Sequence, residues 1–411
     1  MAETPVVIQK WIRIAFINLL IVALIGTIMR YKIAYYLPFI EQKNFLHAHS
    51  YFAFTGWITH ALMVLMVAFL IHYLPAVSLK KYKWLLAANL VTAYGMLLSF
   101  ILGGYGIFSI TLSTLSIFNS YLFGIIFWKD VNKIQTKTIS IFWFKAAIVF
   151  NVLSTLGAFF LSYMIINKIQ DPRMVIAGNY YYLHFQYNGW FLFACMGLLS
   201  EKLTKCGIAY PLQKNVFWLF ALACVPAYFL SALWLPIPLW VYFTVVIAAI
   251  VQLAGWTILF KTVFNNRSKI FAETSSQTRG IFILCALAFS IKLLLQAGST
   301  IPFLSKLAFG FRPVIIGYLH LMLLGVITLF IIGYSKMNRF IITRTTGNAG
   351  ILIFICGIIV NEIFLMIQGI SYMNYINIPW INELLLGAAT CMFCGVSLLN
   401  LGLRRKNHTY V

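Results

Sequence analysis

Charge is what this sequence has least of. Of 411 residues only eight are Asp or Glu, and charged residues of both signs together make up 9%. Hydrophobic residues make up 62%. No soluble domain has that balance, so residues 1–411 read as one transmembrane domain and not as a series of soluble units. The N-terminus lacks a signal-peptide pattern with a small-residue cleavage site. Its first apolar run, Trp11 to Met29, is long enough to remain as a span. The seven cysteines include no Cys-x-x-Cys-His, which argues against covalently attached c-type haem. Most of them lie in apolar runs, where cysteine acts as a small hydrophobe, and Cys391-x-x-Cys394 is expected to be packing.

The net charge of +22 would point to nucleic acid in a soluble protein. Here the basic residues sit in short connections between apolar runs, so they set topology and meet anionic lipid. Membrane lipid is therefore the expected partner, and nucleic acid is not. Apolar runs long enough to span occur at 11–29, 46–74, 84–102, 106–128, 140–166, 181–200, 213–234, 239–262, 280–298, 313–334, 349–370 and 382–403. That predicts an all-α bundle of about twelve helices. Twenty-one Lys and Arg fall on one side of these spans (Lys10 and Arg13 through Arg404, Arg405 and Lys406). Seven fall on the other: Arg30, Lys32, Lys43, Lys168, Arg173, Lys306 and Arg312. The positive-inside rule then puts both termini in the cytoplasm.

An internal period runs through the chain. Phe45-Leu46-His47 returns as Tyr182-Leu183-His184 and Tyr318-Leu319-His320, at steps of 137 and 136 residues. Gly56-Trp57 returns as Gly189-Trp190, with Gly325-Val326 as the third copy. Three such steps make the whole chain, so the twelve spans divide into three pseudo-repeats of four, at about 1–137, 138–274 and 275–411. The histidine spans are the second of each set. His47, His49, His184 and His320 then form one layer near the outer face.

A histidine in a membrane helix faces a protein interior, a cavity or a bound group. His47 and His49, two residues apart, point about 200° from one another and cannot both hold one metal on an intact helix. His49 and His60 share a face about 16 Å apart; spans six and ten offer no second histidine at that depth, so His60 is expected to be a structural polar contact. His72 and His408 are expected to be structural too. Three chemistries fit the layer: bis-histidine ligation of a b-type haem, a zinc, copper or iron site, or a titrating cluster in a transporter cavity. Aromatics around it, among them Tyr51, Tyr182 and Tyr318, suit a flat macrocycle or an interfacial belt. Within the spans, Lys292 and Glu362 are candidates for pairing or a proton path. Lys145 can snorkel. Asp130, Asp171, Glu201 and Glu273 are expected in connections.

Span number, cytoplasmic termini, histidines on spans two, six and ten, and the string His47-Ala48-His49-Ser50 through Gly56-Trp57 resemble the large subunit of the haem-copper oxidases and their nitric-oxide-reductase-like relatives. The layout and the His-Ala-His string are also similar to NnrS-type membrane haem proteins. The oxidase resemblance implies a bacterial inner-membrane oxidoreductase with haem b iron and respiratory or electron-donor partner subunits. It implies His47 or His49 opposite His320 as low-spin haem ligands, and His184 at the family's second-metal position. The NnrS-type resemblance implies a part in nitric oxide stress. Three departures speak against a complete binuclear centre. Span seven has no histidine, Met322 stands where a second span-ten histidine is expected, and Gln186 and Tyr187 follow His184 in place of a His-x-x-x-Tyr pattern. The reading is thus a haem protein of electron transfer or oxygen and nitric oxide handling, or else a transporter or channel with a histidine-lined cavity. Outward Arg173, Lys306 and Arg312 are candidates to pair haem propionates.

Overall fold

The computed structural model describes residues 6–305 and 311–404. Lys306, Arg405, Lys406 and His408 lie outside the described residues. The chain is 83% helix, and no strand occurs among the described residues. Its long helices, in order, are α1 (Val6–Ala34), α2 (Gln42–Tyr73), α3 (Leu79–Gly103), α4 (Ile107–Val131), α5 (Ser140–Ile166) and α6 (172–205). They continue with α7 (210–232), α8 (Leu239–Asn265), α9 (Ser276–Gly298), α10 (Arg312–Met337), α11 (Thr345–Met373) and α12 (Ile381–Leu401). Ten of these are long and apolar enough to cross a membrane, and eleven if α7 counts as one span. α6 is not among the ten: Tyr180 to Tyr182, Gln186 and Asn188 make its middle polar. α7 bends by 44° between Cys224 and Pro226, because proline has no N–H to donate and its ring displaces the preceding turn.

Three helices occupy the centre. Unbroken buried runs cover 56–67 of α2, 184–198 of α6 and 325–335 of α10. Stretches covered on every face lie inside the bundle; those of α2 and α10 are apolar nearly throughout, and that of α6 carries His184, Gln186 and Asn188. Each central helix also contains a π-helical segment that the sequence pattern did not announce: Ala53–Thr59, Phe185–Phe191 and Leu321–Thr328. These hold Gly56-Trp57, Gly189-Trp190 and Gly325-Val326. The Trp57 indole N–H donates to the Thr328 hydroxyl at 3.0 Å, and that of Trp190 to Thr59 at 3.2 Å. Thr59 and Thr328 each follow their glycine by three residues. At the corresponding positions of a third link stand Val326 and Leu192, both buried and apolar.

A π-turn shifts the backbone ladder and leaves a carbonyl in need of a donor. Neighbouring helices supply it. Asn18 of α1 donates to the Gly56 carbonyl and Asn89 of α3 to that of Thr55. The Cys224 thiol lies 3.8 Å from the Asn188 carbonyl, and the Cys285 thiol 3.3 Å from that of Val326. Glycine permits the close approach: a Cβ at Gly189 would sit 2.5 Å from Cβ of Phe150.

α11 and α12 pair backbone to backbone. A Cβ at Gly395 would meet the Phe354 nitrogen at 2.5 Å, and one at Gly350 the Leu399 nitrogen at 2.5 Å. Small residues allow such closeness between membrane helices. α12 also packs on α1, where Asn400 donates to the Phe16 carbonyl.

Two carboxylates expected in connections are instead buried in helices. Asp130, 1% exposed in the last turn of α4, accepts from the Tyr82 hydroxyl at 2.9 Å and Lys133 at 2.7 Å, and pairs with Lys81. Glu201, in the closing turns of α6, accepts from Tyr334 of α10 and Lys205, each at 2.6 Å. A buried carboxylate survives when its oxygens are bonded and its charge matched. Asp171 caps α6 through the Arg173 and Met174 N–H groups, and Glu273 is an exposed loop residue as expected. Lys145 lies over the Trp128 ring at 5.1 Å.

Two predictions follow from this packing. In a double-mutant cycle, Trp57→Phe and Thr328→Val should show coupling on the order of 1 kcal/mol in reversible unfolding from mixed micelles; strictly additive effects would dissolve the link. Gly395→Ala should destabilise by about 1–3 kcal/mol through overpacking. Gly387→Ala, where no neighbouring atom lies within 4 Å, should cost nothing.

Candidate functional site

α2 separates its two outer histidines as helical geometry requires. The His47 ring faces Tyr105 at 4.5 Å and Phe100 at 5.9 Å, at the end of α3 and the turn beyond it. His49 faces the opposite way, against α1, where a Cβ at Gly26 would come 3.2 Å from its Cε1. Glycine at 26 thus leaves room for the imidazole. Of the two, His49 is the one whose charge is felt at His320. The two rings are close enough to couple electrostatically, and Arg30 couples to both. Arg30 couples in turn to Arg312 and Glu362. The structure therefore gathers His49, His320, Arg30, Arg312 and Glu362 from four helices: α1, α2, α10 and α11.

The polar bookkeeping of this cluster is incomplete. Nδ1 of His49 and Nδ1 of His320 are buried without a hydrogen-bond partner, as is Nε2 of His47, and the Val22 backbone of α1 lies alongside His49. Buried imidazole nitrogens normally find partners. As whole residues, His49 and His320 are partly exposed. The outer turns of α2 pack on α1 and α3, while those of α10 pack on α11.

His184 is a different kind of residue. Its Nε2 lies 2.9 Å from the Cys224 carbonyl oxygen, so it carries the proton and donates. Its Nδ1 then accepts from the Asn188 amide at 3.2 Å. The carbonyl is one that the bend after Cys224 leaves without an ordinary helical donor. With both nitrogens occupied, His184 clasps α6 to α7.

Lys292 and Glu362 are not partners of one another. Lys292, 1% exposed, donates to Gln296 at 2.5 Å, and Gln296 donates to Gln252 of α8 at 2.5 Å. Glu362 accepts from Asn361 at 3.1 Å. His60 is fully buried with its ring 5.7 Å from that of Trp11; neither nitrogen has a hydrogen-bond partner, and the Trp11 backbone lies alongside. His72 is exposed at the far end of α2, near Glu201 and Lys205. Met322 is completely buried in the core. Among the described residues no group of three or more His, Cys, Asp or Glu is placed to hold a metal ion. All seven cysteines are free.

A cavity of about 730 Å³ lies beside this cluster, between α6, α7, α9, α10 and α11. Glu362 belongs to both: its carboxylate lines the cavity and couples to Arg30. Leu319 and Leu321, which flank His320, line the cavity as well.

Arg30 and Gly26 are the residues that sequence reasoning passed over. Arg30 closes an apolar run and counts as a topology charge until the helix is seen to continue past it to Ala34. Gly26 has no motif around it. No protein-family model matches this chain, and no curated protein matches it either.

His184→Ala should destabilise the protein by about 1–3 kcal/mol, because it strands the Cys224 carbonyl and the Asn188 amide in the core. Thermal unfolding in detergent reads this directly, and an unchanged midpoint would remove the clasp.

Proposed function

We propose that this chain is an integral-membrane b-type haem protein in which His49 and His320 would hold the haem iron. One observation carries the reading. His49 and His320, on separate helices, interact electrostatically with one another and with Arg30, and each has a buried Nδ1 without a hydrogen-bond partner. The residues present fit the group: the neutral imidazoles of His49 and His320 would supply nitrogen ligands to the iron, and Arg30 with Arg312 would match its carboxylates. Haem, when bound, supplies a one-electron redox centre. The chain's own part is to orient the imidazoles through α1 and α2, to hold cationic charge at the rim through Arg30 and Arg312, and to keep the deep side dry through the core of α2, α6 and α10. Outer-end Arg173 is a further rim cation.

The same reading takes the bundle as twelve spans in three pseudo-repeats of four, with α6 and α7 as the sixth and seventh. Gly56-Trp57, Gly189-Trp190 and Gly325-Val326, each in a π-segment, support it. Charge bias supports cytoplasmic termini, and the oxidase-like layout supports a bacterial inner membrane. Electron transfer, or handling of oxygen or nitric oxide, is the proposed role. The missing histidines of span seven weigh against a full haem-copper centre, and His184 is then a structural post in the ligand layer. Partner subunits that deliver electrons are part of the proposal.

A second reading, a transporter or channel, draws on one observation: the cavity beside Glu362. Flux in proteoliposomes that survives loss of His47, His184 and His320 would leave its histidine-lined version without support.

The first reading is tested by the absorption spectrum of protein purified after haem-replete expression. A Soret band with sharp α and β bands on reduction is expected. His49→Ala and His320→Ala should each abolish the low-spin spectrum, and His47→Ala should keep it. Absence of any Soret band would overturn the proposal.

A further inference from the structure

The cavity between α9, α10 and α11 has a chemistry of its own. Its walls are mostly Leu, Ile and Met, and its polar groups are few: Glu362, Gln296, Ser299 and the three tyrosines Tyr180, Tyr187 and Tyr318 are the chief ones. These lie toward the end of the bundle that carries His320. Residues of the other half, among them Leu284, Ala288, Leu329 and Ile355, are apolar. From Leu284 to Ser299 the cavity runs along about 20 Å of helix. It is long, greasy at one end and hydrogen-bonding at the other.

It opens sideways. α9 packs on the π-segment and the deep half of α10, whereas α11 packs on the Arg312–His320 half. Leu294 and Leu295 of α9 and Ile359, Ile363 and Met366 of α11 line the cavity and are also exposed on the outer apolar surface. The gap between these helices therefore faces the hydrocarbon of the membrane. Such a mouth admits molecules dissolved in lipid, not hydrated solutes.

The lining also sorts among lipids. No Lys, Arg or His lines the cavity among the described residues, and Glu362 is an acid. Among the described residues a phosphate headgroup has no cation to meet there, and an ionised carboxylate would repel it. A neutral head with hydrogen-bonding oxygens is matched by carboxyl, amide and hydroxyl groups. A flat ring is matched by aromatic walls: Tyr187 lies near both Tyr180 and Tyr318.

We infer that this cavity binds a neutral, lipid-soluble ring compound of the quinone class, its oxygens toward Glu362 and Tyr318 and its chain leaving between α9 and α11. The site stands on the cavity alone and holds whether or not haem lies between His49 and His320.

The test uses the full-length protein in phosphatidylcholine nanodiscs, with decylubiquinone as probe in equilibrium dialysis against empty discs. Saturable binding of about one per chain is expected. Ile359→Trp, which fills the mouth, and Glu362→Leu, which removes the head-group contact, should each weaken it tenfold or more. Leu102→Trp, on the outer surface of α3, should leave it unchanged. Uptake no greater than that of empty discs, wild-type binding by Ile359→Trp, or displacement by phosphatidylglycerol would overturn the inference. Should Ile359→Trp fail to fold, an azido-quinone photolabel on the wild-type protein decides: label on α9, α10 and α11 supports the site, and label elsewhere sinks it. The absorption spectrum of the same sample reports on haem separately.

Discussion

The π-turns of α2, α6 and α10 are what the rest of the molecule depends on. In a bundle surrounded by hydrocarbon, every displaced backbone carbonyl must find a donor inside the protein. Asn18, Asn89, Cys224 and Cys285 are those donors, and each comes from a different neighbouring helix. α1, α3, α7 and α9 are thereby keyed to the centre by polar contacts that slippage would break. The Trp57–Thr328 and Trp190–Thr59 bonds tie the three central helices to one another at the same level. Two polar links and one apolar junction hold the core.

That rigid middle explains the behaviour of the two ends. Above it lie His49, His320 and Arg30, each partly exposed. Deep bonding keeps the helices in register, so their histidine ends can carry unpaired nitrogens and like-charged arginines without collapse. A site of that kind is costly in isolation. Its cost is borne by packing several turns away, as is usual where a fold holds a functional constellation. At the opposite end, Asp130 and Glu201 use scarce acidic charge to pin tyrosines and lysines of adjoining helices.

Glu362 joins the two features that distinguish this protein. It lines the apolar cavity along α10 and interacts electrostatically with Arg30. The proposed ligand sites therefore share a wall: the helix that carries His320 toward α1 and α2 carries Tyr318, Leu319 and Leu321 toward the cavity.

Much of this was legible in the residues. Apolar run length announces a helical membrane bundle because hydrocarbon thickness sets helix length. Scarcity of histidine made the 137-residue step visible, and 3.6 residues per turn foretold that His47 and His49 face apart. Other features were out of reach. Which of His47 and His49 turns toward α1 depends on how α2 is rotated, and it is His49 that packs on Gly26. His184 reads like its counterparts in sequence, yet the bend after Cys224 presents it with a carbonyl, and that contact exists only in three dimensions. Asp130 and Glu201 look like loop charges because a local pattern cannot show Tyr82 or Tyr334 arriving from another helix. Hydropathy and periodicity are properties of a segment, so the sequence by itself determined the kind of bundle and the layer of histidines. Partnership between side chains is a property of packing, and only the tertiary structure decided which of them are satisfied and which remain open to a ligand.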